Sequence, residues 1–272
     1  MKFINKIILS AALSVLTFGM SIAQVGVGTS TPEGMLDLQN NNSTGFIFPR
    51  VALTSNIIAA PVTNPDGGAL VAGTVVFNTN TTSRGTNDVY PGIYAWDGSR
   101  WNPQYLREDS AIFEQSTLSF RVANDDSYVD VPGLGNGSSF TAKYSGTYRI
   151  KANFNFGAGE VRNPASGYDI RMATQEGYFR FTFSGTSHLI YTHSYSVSND
   201  DIGSPRTRYD QFRHDTSLIL YETLAAGQTY NFRLEIDLFV SSDFINNGNS
   251  GNGRSYVGLG IPCTVEFTYL EE

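Results

Sequence analysis

Three charged residues occupy alternate positions in the run Arg233-Leu234-Glu235-Ile236-Asp237. Residues two apart on a strand share a face, so the Glu235 and Asp237 carboxylates would project side by side with the Arg233 guanidinium. Two carboxyls about 5 Å apart across a sugar bond are what retaining glycoside hydrolysis needs. The same run also fits a plainer arrangement. Phe232, Leu234, Ile236 and Leu238 would face a core, Arg233 would pair with the acids, and the charges would form a solvated outer face.

Other reactive groups are sparse. His188, His193 and His214 stand at no i, i+2 or i+4 spacing, and no Cys or Glu beside them completes a ligand set, so no zinc site is expected. There is no Gly-x-Ser-x-Gly elbow and no phosphate-cradling loop. Cys263 is the sole cysteine, lies in an apolar run, and reads as a buried, inert thiol. Calcium is the one cofactor left open, because Asn124-Asp125-Asp126 and Asp200-Asp201 supply hard oxygen ligands, without EF-hand spacing. The stretch Ser204–His214 gathers Arg206, Arg208 and Arg213 with Tyr209 and Phe212. Arginine and tyrosine are enriched in binding hot spots, so Arg206, Arg208, Tyr209 and Arg213 are the first candidates for a ligand or subunit contact.

The elements that must position these groups are strands. The chain holds 15 Tyr, 18 Phe and 27 Gly, a composition of strands and turns. Strands are expected over 117–122, 128–131, 140–144, 147–156, 170–174, 178–183, 189–195, 216–221, 229–240, 256–260 and 264–270. That density of strands predicts an all-β sandwich or barrel. Long polar loops at 157–169, 196–211 and 241–255 would carry function on a rigid scaffold.

Upstream, residues 24–106 form a Gly-, Thr- and Asn-rich, β-rich stem whose apolar patches are too small to bury their own faces in one copy, so they lie on the next domain or pack against copies of themselves. In it Asp97-Gly98 suits a type I′ turn between Tyr94-Ala95-Trp96 and Arg100-Trp101. Residues 105–116 read as a helical turn or linker, the linker proper at 107–116, and 117–272 as the main β domain. Residues 1–23 read as a signal peptide: Lys2 and Lys6, an apolar run from Ile7 to Ile22, then Ser21-Ile22-Ala23 before Gln24. Export to the periplasm, cell surface or medium follows, with no transmembrane segment in the mature chain. Without Lys2 and Lys6, 16 basic residues face 25 acidic ones, a net charge of −9. Such a surface repels phosphate backbones and argues against a nucleic-acid partner.

Several stretches resemble known families. "FTAKYSGTYRIKANFNFGAG" (140–159), "TSLILYETLAAGQTYNFRLEI" (216–236) and the closing "VEFTYLEE" (265–272) resemble the jelly-roll head shared by complement C1q and the tumour-necrosis-factor family. This likeness covers about residues 110–272. It implies an antiparallel jelly-roll β-sandwich and a homotrimer, with calcium in some heads. Tyr148, Phe154, Tyr230, Phe232, Phe267 and Tyr269 would then be trimer-facing or core aromatics, and alternation alone leaves that division open. "VGVGTSTPEGMLDL" (25–38), "GFIFPRVALTS" (45–55) and "PGIYAWDGSRW" (91–101) resemble, in this order, a segment common in secreted proteins of Bacteroidetes. In texture the segment is similar to trimeric fibre shafts. Glu235-x-Asp237 resembles the start of the Glu-Ile-Asp-x-x-Glu motif of jelly-roll β-glucanases, but Val240 stands in the place of the second Glu. Asp109-Ser110-Ala111 resembles a short O-glycosylation site of Bacteroidetes secreted proteins.

The expected function is non-catalytic: a secreted or cell-surface recognition or adhesion protein, a homotrimer presenting a β-sandwich head to a glycan or protein on another surface. Two alternatives stand beside it. One is a jelly-roll polysaccharide-degrading enzyme using a set such as Tyr191, His193 and Arg208. The other is a structural subunit of a surface fibre.

Overall fold

A computed structural model describes residues 24–39, 43–123, 127–199, 207–209, 212–246 and 254–270. The chain divides into two compact units, residues 1–48 and 49–272. In the first, β1 (Val25–Val27) and β2 (Leu36–Leu38) pair in parallel, Val25 opposite Leu36. Each strand is only three residues long, and Val25, Val27, Met35, Leu36, Leu38, Phe46 and Ile47 are exposed.

The second unit begins with a small sheet. Here β3 (Arg50–Val51) runs parallel to β4 (Val75–Asn78), followed in antiparallel order by β5 (Gly92–Trp96) and β6 (Trp101–Pro103). Leu53, Val76, Val89, Tyr94, Trp96 and Trp101 form its core, and the Trp101 indole N–H donates to the Ile58 carbonyl at 3.0 Å. Trp96 pairs with Trp101, so the connection is the four residues Asp97–Arg100 and not the expected two-residue turn. Asp97 sets that length. Its carboxylate accepts from the backbone N–H of Ser99 at 2.7 Å and of Arg100 at 2.8 Å. These bonds, the one from Arg100 foremost, hold its pKa well below the usual carboxylate range.

The rest is a two-layer antiparallel β-sandwich. Its strands are β7 (Ser110–Glu114), β8 (Phe120–Val122), β9 (Val129–Asp130), β10 (Ser138–Thr141), β11 (Gly146–Ala158) and β12 (Ile170–Phe183). They continue as β13 (Thr186–Asn199), β14 (Thr207–Tyr209), β15 (Arg213–Leu224), β16 (Thr229–Leu238), β17 (Ser255–Val257) and β18 (Thr264–Tyr269). The front sheet has the order β10-β16-β12-β13-β14, with β9 also on β16. The back sheet has the order β7-β18-β11-β17-β8, with β15 lying along the other side of β11.

Two expectations are corrected here. The stretch read as a helical turn or linker contains β7, because Ala111 and Phe113 alternate inward and Phe113 packs on Phe232 with ring centroids 4.9 Å apart. The strands expected at 170–174 and 178–183 are one strand, since Gly177 continues the pairing where a Cβ would collide with the Asp237 carbonyl oxygen. β12 and β13 form a fourteen-pair hairpin closed by Ser184 and Gly185, with φ of 46° and 86°. Two consecutive positive φ values make the twist-matched two-residue turn.

The core takes in most of the aromatics singled out from sequence. Tyr148, Phe154, Phe232, Phe267 and Tyr269 are buried between the sheets, and Tyr230 packs against them. These five are core of a single chain, while Tyr230 keeps part of its surface exposed. Facing rings join the layers, as in Phe154 with Phe179 at 5.1 Å and Phe140 with Phe267 at 4.2 Å. Cys263 is fully buried in the same core, and burial pushes its thiol pKa up to about 11.

Candidate functional site

The alternation that sends Phe232, Leu234, Ile236 and Leu238 inward turns Arg233, Glu235 and Asp237 to the outer face of the front sheet. Register sets their neighbours. Thr182 lies opposite Arg233, Arg180 opposite Glu235, Tyr178 opposite Asp237, and on the other side Asp130 lies opposite Glu235. Arg180 forks Glu235, Nε to Oε2 and Nη2 to Oε1, both at 2.7 Å. Arg233 reaches Glu235 Oε1 at 3.2 Å and Asp130 Oδ1 at 2.6 Å. The Tyr128 ring lies 3.7 Å from the Arg180 guanidinium carbon.

The expected solvated face therefore fails at its central residue, because Glu235 is only 2% exposed. Long side chains from neighbouring strands cover it. The hydrogen bond to Glu235 raises the pKa of Arg180, and the bond to Asp130 raises that of Arg233. Burial pushes the Asp130 carboxyl upward, but the Arg233 guanidinium and the Asn136 N–H more than offset this and hold it below its ordinary range. Both Glu235 oxygens are tied to guanidinium groups, which leaves it no position from which to attack or protonate a sugar.

The same face continues into aromatic side chains. Across the β12–β13 hairpin the outward pairs are Met172 with Val197, Thr174 with Tyr195, Glu176 with His193, Tyr178 with Tyr191 and Arg180 with Leu189. The Tyr178 ring meets Tyr191 at 5.9 Å and Phe239 at 5.4 Å. Tyr191 stacks on His193 at 5.5 Å, His193 meets His214 at 4.7 Å, and Tyr195 stacks on Phe212 at 4.5 Å. The Tyr191 hydroxyl donates to the Glu176 carboxylate, a bond that raises its pKa. Tyr191 and Tyr195 remain 44% and 43% exposed.

On β13 the usual polarity of a sandwich strand is reversed. Thr192, Ser194, Ser196 and Ser198 are buried inside, while Tyr191, His193 and Tyr195 face out. The Ser196 hydroxyl donates to the Gly159 carbonyl at 2.5 Å and that of Ser194 to the Phe212 carbonyl at 2.7 Å. An exposed aromatic row flanked by hydroxyl, imidazole and carboxylate groups can stack on a flat, partly apolar partner and hydrogen-bond its rim. Among the described residues no group of three His, Cys, Asp or Glu is arranged to hold a metal ion.

The residues singled out from sequence do not form one site. Thr207–Tyr209 pairs with the end of β13, placing the Arg208 and Tyr209 backbone at the front-sheet edge. Arg213 opens β15 on the back sheet, and its guanidinium donates to the Leu259 carbonyl at 3.4 Å. Arg206 and the calcium candidates Asp125, Asp126, Asp200 and Asp201 lie outside the described residues. Of the set Tyr191, His193 and Arg208, the first two stack together. Asp109 accepts from the Tyr148 hydroxyl at 2.6 Å and the Lys143 N–H at 2.9 Å, a structural use. Sequence reasoning missed Tyr178, Tyr195 and Phe239 as surface residues. Its available signal was the alternation Tyr191-Thr192-His193-Ser194-Tyr195, with large residues on one face and small ones on the other.

Residues 26–117 match a family model described as a phage tail like trimerisation region. The match spans about a third of the chain and supports self-association through that stretch. A search of curated proteins returns no match. Among solved structures, the stem and receptor binding domain of the spike protein P1 from bacteriophage PM2 aligns at 12% identity and a TM-score of 0.22. That alignment covers 72% of this chain and 84% of that one. A fructofuranosidase from Schwanniomyces occidentalis aligns at 9% identity and a TM-score of 0.20, over 73% of this chain and 40% of that one. Superpositions this loose carry no argument about fold or activity.

Proposed function

We propose that the protein is an exported, non-enzymatic recognition or adhesion protein that acts as a homotrimer. Its N-terminal stretch holds three copies together, and the outer face of the front sheet meets a glycan. One observation carries the reading. The stretch matching the trimerisation region holds exposed Val27, Met35, Leu36, Leu38, Phe46 and Ile47, apolar side chains that need a covering partner. The partial strand orders β7-β18-β11-β15 and β10-β16-β12-β13 support a jelly-roll head similar to that of C1q and tumour-necrosis-factor proteins.

A glycan is favoured as ligand because a sugar ring has an apolar C–H face and a polar rim. Tyr191, Tyr195 and Phe212 offer ring faces, with Glu176 and His193 beside them. Light scattering should give a mass three times that of the chain, and a monomer overturns the assembly. On a glycan array, Tyr191→Ala and Tyr195→Ala should each weaken the binding seen with the natural sequence by roughly fivefold or more. Unchanged binding overturns the proposed face.

A further inference from the structure

The outer face of the front sheet runs on past the aromatic row. Beyond the pair Tyr178–Tyr191 come Arg180 opposite Leu189 and then Thr182 opposite Ser187, with Arg233 on the other side of Thr182. Four strand residues separate Tyr178 from Thr182, a distance of about 13 Å. There a shallow hollow of about 180 Å³ has Asn136, Gly137, Thr182, Asn231 and Arg233 in its lining. It is smaller than a self-contained small-molecule pocket and suits one end of a longer ligand.

In the opposite direction along β13, Tyr195 follows Tyr191 by four residues and stacks on Phe212. The hollow, the pair Tyr178–Tyr191 and the pair Tyr195–Phe212 therefore fall in one line along the strands. Asn136 and Asn231 are exposed, and Asn231 turns outward as Arg233 does, two residues along β16. A carboxamide both donates and accepts, as a sugar hydroxyl does. The Asn136 N–H donates at 3.2 Å to Asp130, the carboxylate that also holds Arg233, which fixes this wall before any ligand arrives. The Thr182 and Ser187 hydroxyls lie 2.8 Å apart beside it.

We propose that this face binds a neutral, linear, β-1,4-linked glycan lying along the strands. Its rings rest on the aromatic row and one end enters the hollow, where Asn136, Asn231 and Thr182 take hydroxyls. The inference rests on the glycan-recognition reading and adds the ligand class together with a further subsite. The charges on the face satisfy one another. Arg180 and Arg233 hold Glu235, Arg233 also holds Asp130, and Glu176 accepts from the Tyr191 hydroxyl. An ionic ligand would compete with these pairs, whereas a neutral one leaves them intact. Equatorial β-1,4 links hold pyranose rings in an extended ribbon that matches a straight run of contacts, while α-1,4 links coil the chain.

The test is calorimetric titration of the full chain with cellotriose, cellohexaose, maltohexaose and an oligogalacturonate. Cellohexaose should bind at least about tenfold more tightly than cellotriose, because only the longer chain reaches from the aromatic row into the hollow. Maltohexaose and the acid should each bind at least about tenfold more weakly than cellohexaose. In a variant carrying Asn136→Ala and Asn231→Ala together, both at exposed positions, the advantage of the longer chain should fall to about threefold or less. Cellotriose binding should stay within about twofold in that variant. An unchanged advantage there overturns the proposal, as does an equal loss for both lengths. So does failure of cellohexaose to bind, or binding of maltohexaose or the acid as tight as that of cellohexaose. If the proposal fails in any of these ways while Tyr191→Ala and Tyr195→Ala still weaken binding on the array, the outer-face reading stands. If no glycan binds on the array, that reading fails with it.

Discussion

Glu235 is an acid in a place where acids are costly, and its neighbours explain why it stays. A carboxylate removed from water needs a cation held in good geometry, and the two parallel bonds from Arg180 supply one. Removing Arg180 leaves only the longer bond from Arg233. Arg180→Ala should therefore lower stability by about 3 kcal/mol, read as a shift of the urea midpoint. Arg180→Lys should recover only part of the loss, because an ammonium cannot make the fork. None of this was legible in the sequence around Glu235. The alternation of Arg233, Glu235 and Asp237 correctly gave their shared face, but burial comes from an arginine 55 positions away and from Tyr128 beyond it. A local pattern tells which way a side chain points and says nothing of what lies over it.

At the scale of elements, alternation was a good guide wherever one face is apolar throughout. The strands around Tyr148–Phe156 and Phe232–Leu238 are almost where sequence placed them. It failed at β7, within the stretch read as a helical turn or linker, and at residues 175–177, left between two expected strands. Gly177 marks instead a place where two backbones come close. Gly177→Ala should cost about 1–3 kcal/mol in a denaturation titration, since β12 and β16 must move apart to admit the methyl group. The aromatic row was hidden for a related reason. It draws on β12, β13, the end of β16 and the residue before β15, and only pairing brings Tyr178, Tyr191, Phe239 and Phe212 into one surface.

In the proposed trimer, assembly and recognition would fall to different parts of the chain. Residues 49–272 have their own cores, whereas residues 24–48 leave apolar side chains uncovered. Deleting residues 24–48 should reduce the mass in light scattering from three chains to one while cooperative thermal unfolding persists. A trimer that survives the deletion would place the assembly contacts after Pro49. The gain from such an assembly would be multivalent: three weak sites on one particle would act together on a surface carrying repeated ligands.

The Ser184-Gly185 tip has an influence out of proportion to its size. It sets the phase of the fourteen pairs that follow, and period-two geometry makes that phase all or nothing. Slipping β13 by a single residue would swing Tyr191, His193 and Tyr195 into the interior and bring Thr192, Ser194 and Ser196 out to water. The chemistry of the broad face is thus dictated partly by a bend at its far end, which no bound molecule needs to touch.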